Sequence, residues 1–550
     1  MSVAASSVPR YELPRWPFVR PAELDESIPR RHPVVIAGAG LAGLTLACEL
    51  AARGVAAVLL DDDDTVGVRG ASSRGICYAQ KSLEIFARLG LYERIRAKGI
   101  TWSVGRTFSG ADEIYAFDLE ATSRSQQPAF INLQQFYVEW FLVERIVELA
   151  PTMLRWKHRV EHVADQGDCV VVEVTTPAGA YRLEADWFVD ASGANSAIRD
   201  ALGLDARVSR STDRWCISDV RFATPFPPER WTWIDAPFNE GRAVWQHLMA
   251  DDVWRLDYQM PEGADPEATS RPEVVGARLR QQLGPGVDFE FVWIGPYQYR
   301  DHLLEKMKVG RVFFAGDSAH VVSPFGARGG NNGIQDAANL AWKLALVVQG
   351  AADVALLESY DVERHAAAVE NLRVARRTTR FLAPRNRAER RIRQAVIDLA
   401  RTQPFARRLV DTGRMAVAND YPPSTWAPQG AASLPNVAVD GDTLVGLLGA
   451  GRFVGLWLVD GAALAERTVA AGLEARWPIV IRFVDLDADF ANPVLARMLD
   501  GGAGCFVLVR PDGYVAARIV AAHSESISAA MRRALSRFDP IPPSSTNDKR

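Results

Sequence analysis

The segment Pro33-Val-Val-Ile-Ala-Gly-Ala-Gly-Leu-Ala-Gly43 decides the fold of the N-terminal part of the chain. Its first five residues have the pattern of a short buried strand, and Leu41 to Arg53 have helical periodicity that stops at Gly54. A second strand pattern follows from Val55 to Leu60. The sequence therefore predicts a βαβ unit at this end of the chain.

Three glycines of this segment, Gly38, Gly40 and Gly43, have the spacing G-x-G-x-x-G between the predicted strand and helix. In a dinucleotide-binding turn the first glycine turns the chain, the second admits a pyrophosphate and the third lets helix and strand pack closely. Asp61 ends the second predicted strand, where its carboxylate can accept a hydrogen bond from a ribose hydroxyl and disfavours a 2′-phosphate. Asp62 is predicted near the adenine end of the same ligand by adjacency.

A second glycine-rich segment occurs much later in the chain. An apolar run ends at Gly316-Asp317, a loop follows from Ser323 to Gly333, and Ile334 to Lys343 form an amphipathic helix pattern. Glycines allow close backbone approach, and a helix start offers free N–H groups to an electron-rich atom. This segment therefore predicts a binding site for a large polar ligand.

Composition excludes several classes of protein. The chain has 550 residues, of which 48% are apolar and 24% charged, which is ordinary for an enzyme of roughly two to four domains. A net charge of −4 gives no reason to expect nucleic acid or a membrane surface as partner, and no apolar run reaches the ~20 residues of a membrane span. The five cysteines contain no CxxC pair, and no metal-ligand cluster emerges, so we predict a metal-free protein with reduced thiols in the cytoplasm.

The middle of the chain changes pattern. Cys169–Thr175, Tyr181–Leu183 and Trp187–Asp190 are strand-like, and from about 210 to 300 the strands become alternating and aromatic-rich. Such alternation predicts a largely antiparallel sheet with one covered face. The nucleotide-binding pattern returns at Val312, so the first domain is predicted to be discontinuous.

The C-terminal third has a different pattern of predicted helices and strands. Ser359 to about Arg414 is Arg-rich and helical, and Tyr421 to Pro428 reads as a linker. The predicted elements beyond it are a strand at Phe453–Val459, a helix at Ala462–Gly472, a strand at Ile479–Val484, a hairpin at Phe506–Ile519 turning at Pro511-Asp-Gly513, and a closing helix at Ser526–Leu535.

Four segments together resemble the single-component FAD-dependent aromatic hydroxylases, the group A flavoprotein monooxygenases that include 3-(3-hydroxyphenyl)propionate hydroxylase and phenol hydroxylase. They are Gly38–Asp61, Ser73–Phe86, Gly193–Arg199 and Gly316–Lys343, in matching order and spacing across about residues 33–375. The resemblance implies an α/β fold with a Rossmann-like FAD-binding domain, an inserted, mainly antiparallel substrate sheet and a C-terminal thioredoxin-like α/β domain.

The implied domain boundaries follow the pattern changes. They are an N-terminal arm at 1–32, the FAD-binding domain at 33–209 and 300–380, the substrate sheet at 210–299, a helical segment and linker at 381–428, the thioredoxin-like domain at 429–540 and a tail at 541–550. The last domain lacks CxxC, so a structural or dimer-contact role in a homodimer is expected rather than disulfide exchange.

The resemblance also implies contacts to FAD. Arg74 and Gln135 are expected near the pyrophosphate, Asp317 at the ribityl chain, and amides around Gly330 at the flavin edge that gains negative charge on reduction. The full implied set is Gly38, Gly40, Leu41, Ala42, Gly43, Asp61, Asp62, Arg74, Gln135, Ser192, Asp317, Pro324, Gly329, Gly330 and Asn331.

One motif departs from the family. Where relatives have Asp-Gly, this chain has Asp190-Ala-Ser192-Gly193. In relatives this motif touches both FAD and, transiently, NADPH. Either Ser192 supplies a weaker hydrogen bond or the contact with the pyridine nucleotide is altered.

Substrate contacts are less defined. Pro324 is implied to place its carbonyl beside the substrate ring, and His320 is implied to be structural. Arg328 has two open interpretations: positive potential near the flavin, or a solvent-facing side chain. Catalytic candidates from the pocket wall are Tyr78 and His247, and Trp215 and Tyr258 are further wall candidates, although aromatic residues in an alternating sheet are mostly core.

The implied reaction uses NAD(P)H to reduce FAD, O₂ to form a flavin C4a-hydroperoxide, and a phenolic or related aromatic ring as oxygen acceptor. A flavin-dependent halogenase, a dehydrogenase-type flavoprotein and a non-catalytic FAD-binding protein remain alternatives. Against the halogenase, Trp231-Thr-Trp-Ile234 lacks the proline of the halogenase signature and lies in the sheet region.

Overall fold

A computed structural model describes most of the chain. The described residues are 11–67, 75–120, 125–204, 206–223, 226–411, 414–439, 441–449, 451–461, 464–485 and 502–537. Arg74 and the predicted tail at 541–550 lie outside them. The chain divides into two compact units, the first formed by Met1–Ala337 and Ala368–Val417, the second by Ala338–Ala367 and Ala418–Arg550.

The described strands are numbered in chain order. They are β1 Arg30–Ala37, β2 Ala57–Asp61, β3 Cys77–Ala79, β4 Ile100–Trp102, β5 Val104–Ser109, β6 Asp112–Asp118, β7 Phe130–Asn132, β8 Leu154–Trp156, β9 Arg159–Asp165, β10 Val170–Thr176, β11 Gly179–Asp190, β12 Ala206–Phe222, β13 Arg230–Ala236, β14 Arg242–Leu248, β15 Val253–Gln259, β16 Phe289–Leu304, β17 Lys308–Val309, β18 Val312–Phe314, β19 His320–Val321, β20 Ala438–Val439, β21 Asp442–Thr443, β22 Phe453–Val459, β23 Ile479–Asp485, β24 Phe506–Val509 and β25 Val515–Ile519.

The described α-helices are numbered in the same way. They are α1 Leu41–Ala52, α2 Gln80–Arg88, α3 Tyr92–Lys98, α4 Gln135–Leu149, α5 Ala197–Ala201, α6 Pro266–Thr269, α7 Pro272–Leu283, α8 Gly329–Val348, α9 Glu358–Leu382, α10 Arg387–Thr402, α11 Pro404–Arg407, α12 Leu444–Leu448, α13 Leu464–Arg476 and α14 Ser524–Ala534.

The first unit contains a mainly parallel sheet in the order β17-β18-β11-β1-β2-β8, and β10 and β9 extend it antiparallel from β11. Val34 and Ile36 are fully buried because β1 lies between β2 and β11, with helices covering the sheet. β1, α1 and β2 are the predicted βαβ unit, which is confirmed. The two short strands predicted between Tyr181 and Asp190 are in fact one strand, β11.

A second sheet of the first unit has the order β19-β16-β12-β15-β14-β13-β5-β6. All its pairs are antiparallel except β13 with β5, so the predicted antiparallel character is confirmed. The sheet also takes β5 and β6 from outside the 210–299 segment. A small antiparallel sheet, β3-β7-β4, completes the strands of this unit.

The second unit contains a four-stranded sheet in the order β23-β22-β24-β25, with β22 and β23 parallel and the other pairs antiparallel. β22 coincides with the strand predicted at Phe453–Val459, and β24 and β25 form the predicted hairpin, closed by a hydrogen bond from Gly513 N to Arg510 O of 2.9 Å. Ala462, the predicted start of α13, lies outside the described residues. In the described part of the chain, no helix combines the length and apolarity that crossing a bilayer requires.

Candidate active site

The turn between β1 and α1 leaves space at only one of its three motif glycines. A β-carbon at Gly38 would lie 2.5 Å from the carbonyl oxygen of Ala191, and one at Gly43 would lie 1.9 Å from that of Gly38. A β-carbon at Gly40 would meet no atom within 4 Å. Gly38 and Gly43 are therefore required by packing, whereas Gly40 faces open space of the kind a pyrophosphate needs.

Asp61 lies at the end of β2, and its carboxylate faces this turn. It accepts hydrogen bonds from Ala39 N at 2.5 Å and Asp63 N at 2.9 Å. Burial raises the pKa of Asp61 to about 6. Asp62 is exposed and borders a surface groove that Asp64, Arg15 and Lys157 also line.

The second glycine-rich segment packs directly on the first. Gly316 has a φ of 64°, and a β-carbon there would lie 3.0 Å from the β-carbon of Ala42. A β-carbon at Gly330 would lie 3.2 Å from Leu41 Cδ1. The structure thus brings together two motifs that are far apart in sequence, with Leu41 and Ala42 between them.

Exposure along the second segment is restricted to a few positions. From Val312 to Leu346 the exposed residues are Asp317, Pro324 and Gly330, with Ala327 and Gly329 partly exposed. All three exposed positions belong to the set expected to contact the cofactor. In a segment that is otherwise buried, this is the exposure expected of a ligand-lined cleft.

The start of α8 supplies free amides. The first helical hydrogen bond runs from Asn332 N to Arg328 O at 2.9 Å, so the amides of Gly329, Gly330 and Asn331 precede the helical ladder. They lie at the positive end of the helix dipole, which favours negative charge nearby. This agrees with the expectation for the flavin edge.

The side chain of Asn331 has a different task from its amide. Its Oδ1 accepts from Ala79 N at 2.8 Å and Ser82 Oγ at 2.7 Å, while its Nδ2 donates to the carbonyls of Cys77 and Ala327 at 2.8 and 2.6 Å. It therefore ties β3 and α2 to the loop before α8, and leaves only its backbone for a cofactor contact. Sequence reasoning missed this tie because it joins segments about 250 residues apart.

The motif with the unusual serine lies beside the first glycine. The buried Asp190 accepts from Ser192 N at 2.9 Å and Ser192 Oγ at 2.6 Å, and it also bonds the hydroxyl of Ser196. Asp190 thereby holds the Ser192 hydroxyl against the loop. Ser192 itself is exposed next to Gly38, whose β-carbon would lie 2.8 Å from Ser192 Cα.

Gln135 also has an internal partner. It stands at the start of α4, where its Oε1 accepts from Gly75 N at 3.1 Å and its Nε2 donates to Glu139 Oε1 at 2.7 Å. Gly75 follows Arg74, the expected pyrophosphate ligand, which lies outside the described residues. Gln135 thus links the start of α4 to Gly75.

Two residues of the second segment are structural. His320 is buried, and its Nε2 lies 2.7 Å from Asp336 Oδ2, which also accepts from Gly316 N. Arg328 is buried, donating to Asn371 Oδ1 at 2.5 Å and to the carbonyls of Arg414 and Met415. The solvent-facing alternative for Arg328 is therefore wrong.

The second sheet presents one face to this region and the other to α7. Trp215 and Trp245 stack with ring centroids 4.6 Å apart, and Trp245 meets Phe325, the neighbour of Pro324, at 4.4 Å. His247 lies two residues beyond Trp245 on β14 and so shares this face. We call it the inner face of the sheet.

Tyr258 was a candidate for the pocket wall, with a core position favoured for aromatic residues of an alternating sheet, and the structure places it in the core. It packs with Val244, Val275 and Leu279 on the face covered by α7, and its hydroxyl donates to Gln282 Oε1 at 2.8 Å. The reason is the two-residue period of a strand, which puts Tyr258 opposite to its neighbour Asp257.

Two neighbouring residues of β3, Cys77 and Tyr78, point in opposite directions. Cys77 Sγ lies 3.9 Å from His247 Nδ1, facing the inner face of the sheet. Tyr78 points away from it, its ring packed edge-on against Phe86 of α2, and burial raises its pKa well above the ordinary value. The pKa of His247 is lowered well below its ordinary value, first by burial and then by Arg230 and Arg255.

Sequence reasoning missed the charged residues of the inner face. Arg230, Arg255, Asp219 and Asp257 extend from β13, β15 and β12 on the same side as His247. Alternating charges in a strand ordinarily indicate a solvent face, so the pattern alone gave no reason to place them inside.

Comparison with known proteins agrees with this geometry. Residues 31–375 match the family model described as FAD binding domain. The chain is 30% identical to 6-methylpretetramide 4-monooxygenase of Streptomyces rimosus, covering 88% of this chain and 90% of that protein. It is 26% identical to a 3-(3-hydroxy-phenyl)propionate/3-hydroxycinnamic acid hydroxylase of Mycolicibacterium smegmatis, covering 90% and 92%.

Solved structures have the same fold. The flavin-dependent monooxygenase PieE, in complex with FAD and substrate, matches with a TM-score of 0.76 at 22% identity, covering 93% of this chain and all of that one. Anhydrotetracycline hydroxylase from Streptomyces rimosus matches with a TM-score of 0.68 at 26% identity, covering 92% and 99%. The fold and the two joined glycine motifs define a dinucleotide-binding flavoprotein. The chain belongs to the FAD binding domain family.

The residues present fit FAD. Open space above Gly40 suits the pyrophosphate, the carboxylate of Asp61 suits a ribose hydroxyl, and the exposed Asp317 suits the ribityl hydroxyls. The amides at the start of α8 suit the flavin edge that becomes negative on reduction.

Proposed function

We propose that this protein is an FAD-dependent monooxygenase that hydroxylates a phenolic or related aromatic substrate with O₂ and NAD(P)H. One observation supports this most strongly: the two glycine motifs pack together and leave Gly40, Asp317, Pro324 and Gly330 open beside the aromatic inner face of the second sheet. The named relatives are monooxygenases and hydroxylases of phenolic and polyketide compounds, which favours the same chemistry.

Bound FAD, reduced by NAD(P)H, supplies the activated oxygen for this chemistry. The protein's part is to bind and orient. Gly40 and Asp61 hold the adenosine and pyrophosphate half, with Arg74, Ser192, Gln135 and Asp62 assigned to the same half. Asp317 and the α8 amides hold the flavin half.

Substrate orientation falls to the inner face. Trp215, Trp245 and Phe325 pack into a buried aromatic cluster that backs the substrate site and excludes water, and the exposed Pro324 stands at its edge. His247, neutral because burial and two arginines lower its pKa, acts as a hydrogen-bonding group rather than a cation. A catalytic role for Tyr78 stays a prediction, because its ring packs on α2.

The layout proposed for the whole chain is that of the predicted domains. The FAD-binding domain is Rossmann-like and discontinuous, and the strands and helices of the second unit form a thioredoxin-like domain at 429–540. That domain holds Cys505 alone, which favours a structural or dimer-contact role in a homodimer. The five cysteines all lie in the described part of the chain and form no disulfide there, which favours a cytoplasmic location.

The test is a turnover assay on the purified, flavin-loaded protein. NADPH and NADH oxidation is followed with and without a panel of phenols and hydroxylated polyketides, and products are analysed by mass spectrometry under ¹⁸O₂. We expect an aromatic compound to stimulate oxidation and to gain one ¹⁸O atom. Chlorinated product in the presence of chloride would favour the halogenase, and oxidised product without ¹⁸O the dehydrogenase. Bound FAD with no stimulated oxidation by any aromatic compound would overturn the proposal.

A further inference from the structure

Four buried or partly buried charged groups lie together on the inner face of the second sheet. Asp219 of β12 is the cross-strand partner of Arg255 of β15, and Asp257 lies two residues further along β15. Arg230 projects from β13 on the same side. Burying charged groups costs free energy, because they lose their interactions with water and need compensating partners inside the protein.

Two of the four groups compensate each other. Arg255 donates from Nε to Asp219 Oδ1 at 2.9 Å and from Nη2 to Asp219 Oδ2 at 3.2 Å. This fork geometry is the strong form of an arginine–carboxylate pair. Asp219 and Arg255 are thus neutral as a pair and serve the sheet.

Asp257 has no comparable arrangement. Its Oδ1 is buried without a hydrogen-bond partner, and a buried unpaired acceptor is rare in folded proteins. The residue is nevertheless partly exposed, and so is its cross-strand neighbour Ile217 on β12. Both strands lie inside an eight-stranded sheet whose other face is covered by α7, so this exposure must come from an opening on the inner face.

Arg230 provides positive charge at the same place. Its side chain is only 4% exposed, and its guanidinium lies 5.9 Å from the ring of Trp245, the cross-strand partner of Asp257. Electrostatic coupling links Arg230 with Asp257, Cys77 and His247. An anion formed in this opening would therefore be stabilised by Arg230.

The opening adjoins the flavin-facing elements on two sides. On one side, Cys77 contacts His247 through Sγ while its carbonyl accepts from Asn331 at the start of α8. On the other side, Trp245 contacts Phe325, the residue after Pro324. On the inner face, Asp257 lies on β15 beside Trp245 and Arg230 lies on β13 beside His247, so the two flank β14, which carries both contacts.

We propose that Asp257 accepts the proton of a ring hydroxyl of the aromatic substrate and that Arg230 holds the ring oxygen as it becomes negative. The proposal rests on the proposed function and names the residues that select a phenol. The O–H bond of the substrate breaks, the proton passes to the Asp257 carboxylate, and the electron pair stays on the ring oxygen. The ring becomes more electron-rich, which is what oxygen transfer to it requires.

The surroundings of Asp257 set the pH at which this operates. Burial raises the pKa of Asp257 to about 7, opposed by Arg255 and Arg230 and reinforced by Asp219. Three other titratable groups face the cluster. They are Cys77 from β3, His247 from β14 and Tyr299 from β16. Each of these three is neutral at pH 7, because burial raises the pKa of the thiol and the phenol and lowers that of the imidazole. A base with a pKa near the working pH is the efficient case.

The experiment compares Asp257→Asn with Asp257→Glu and with the control Tyr258→Phe, the next residue on the opposite face. The probes are 3-(3-hydroxyphenyl)propionate, or whichever phenol the wild-type protein hydroxylates, and the analogue with NH₂ in place of the ring hydroxyl. We expect Asp257→Asn to lower kcat/KM for the phenol about 100-fold or more. The amine should lose under about tenfold, because no proton must leave before attack.

The pH profile gives a second readout. Wild-type kcat/KM for the phenol should rise with pH and level above about 7. Asp257→Asn should lose this rising limb of the pH profile. Asp257→Glu should keep it, and Tyr258→Phe should behave as wild type. Arg230→Met removes a positive neighbour and should move the limb to higher pH, whereas Arg230→Lys should leave it nearly in place.

Contradiction would take one of two forms. An Asp257→Asn protein with full FAD content and unchanged kcat/KM and pH profile would overturn the proposal, as would equal losses for phenol and amine. If Asp257→Asn does not fold, the pH profile of Arg230→Met is the deciding measurement. A profile whose rising limb stays at the wild-type pH also overturns the proposal. Wild-type protein that hydroxylates no aromatic compound instead refutes the proposed function.

Discussion

The carbonyl oxygen of Gly38 lies 1.9 Å from the position that a β-carbon at Gly43 would occupy. No side chain fits there, since real β-carbons do not approach backbone atoms below 3.0 Å. Gly40, in the same turn, has a φ of −86°, which any residue adopts, and open space beyond its Cα. The two glycines are therefore required for different reasons, one for folding and the other for the ligand.

Gly43→Ala and Gly40→Ala should separate these reasons. We expect Gly43→Ala to lose about 1–3 kcal/mol or more of unfolding free energy, because the backbone must shift to admit the methyl group. Gly40→Ala should unfold like the wild type but bind FAD at least about tenfold more weakly, since its methyl group occupies the pyrophosphate space. Urea unfolding of the flavin-free proteins and FAD titration measure the two effects. Equal stability of both variants would contradict this division.

Asp61 should make FAD binding dependent on pH. Its pKa in the cofactor-free protein is raised to about 6 by burial, so the carboxylate that accepts the ribose hydroxyl is lost below that pH. FAD affinity should rise with pH up to about 6 and then level, and Asp61→Asn should remove this dependence. Loss of a hydrogen bond to a charged group costs about 1.5–3 kcal/mol, so Asp61→Asn should also weaken binding about 10- to 150-fold at pH 7.

Stability of the flavin-free protein should follow the opposite trend. Between about pH 4 and 6 the folded protein holds a proton on Asp61 that the unfolded chain has lost, so stability falls as pH rises through this window. Asp61→Asn should flatten that part of the stability curve. Asp288→Asn, at an exposed position just before β16, is the control and should change neither property.

The elements of the fold that depend on short stretches of sequence were predictable from the sequence. The βαβ unit followed from two periodicities and three glycines, and the hairpin of the second unit followed from Pro511-Asp-Gly513 between apolar runs. β22 matched residue for residue because a fully buried strand is a continuous apolar run. The glycine motif from Gly38 to Gly43 was recognisable for the same reason, and it forms the turn between β1 and α1.

The substrate side was not predictable, because it depends on which face of a sheet is covered. Alternation puts Asp257 and Tyr258 on opposite faces but does not say which face α7 will cover. Sequence reasoning named Tyr258 as one pocket candidate and did not consider Asp257, whereas α7 covers Tyr258 and leaves Asp257 facing inward. Likewise the partner of Arg255 comes from β12, far away in sequence, so its burial could not be anticipated.

Asn331→Ala should loosen the contact between β3 and the start of α8. The side chain is 3% exposed and makes four hydrogen bonds, so its removal leaves buried donors and acceptors without partners. We expect a loss of about 2–4 kcal/mol in unfolding free energy and weaker FAD binding. Asn195→Ala, at an exposed position bonded to Arg300, is the control and should stay within about 0.5 kcal/mol. If Asn331→Ala and Asn195→Ala were equally stable, the stabilising role of the Asn331 side chain between β3 and α8 would be contradicted.

The second unit offers a test of a buried ionic network. Glu363 is 1% exposed and accepts from Lys343 Nζ at 2.8 Å and from Arg510 Nη1 at 2.5 Å. These two cations lower the pKa of Glu363 to about 2, while burial lowers the pKa of Lys343 to about 8. The carboxylate is therefore held by two cations, but Arg510 also pairs with the buried Asp512, so Lys343 is needed to balance the two carboxylates.

Removing the anion and removing one cation should both be costly. Glu363→Gln leaves Lys343 and Arg510 with one carboxylate fewer, and Lys343→Met leaves Arg510 between Glu363 and Asp512, so each should cost about 3–5 kcal/mol. Since the pKa of Glu363 is depressed, its contribution is complete above about pH 4.5 and is lost as pH falls toward 2. Urea unfolding of both variants at pH 7 and at pH 3 measures this. The cost of Glu363→Gln should be smaller at pH 3, and a Lys343→Met protein as stable as the wild type at pH 7 would contradict the need for both cations.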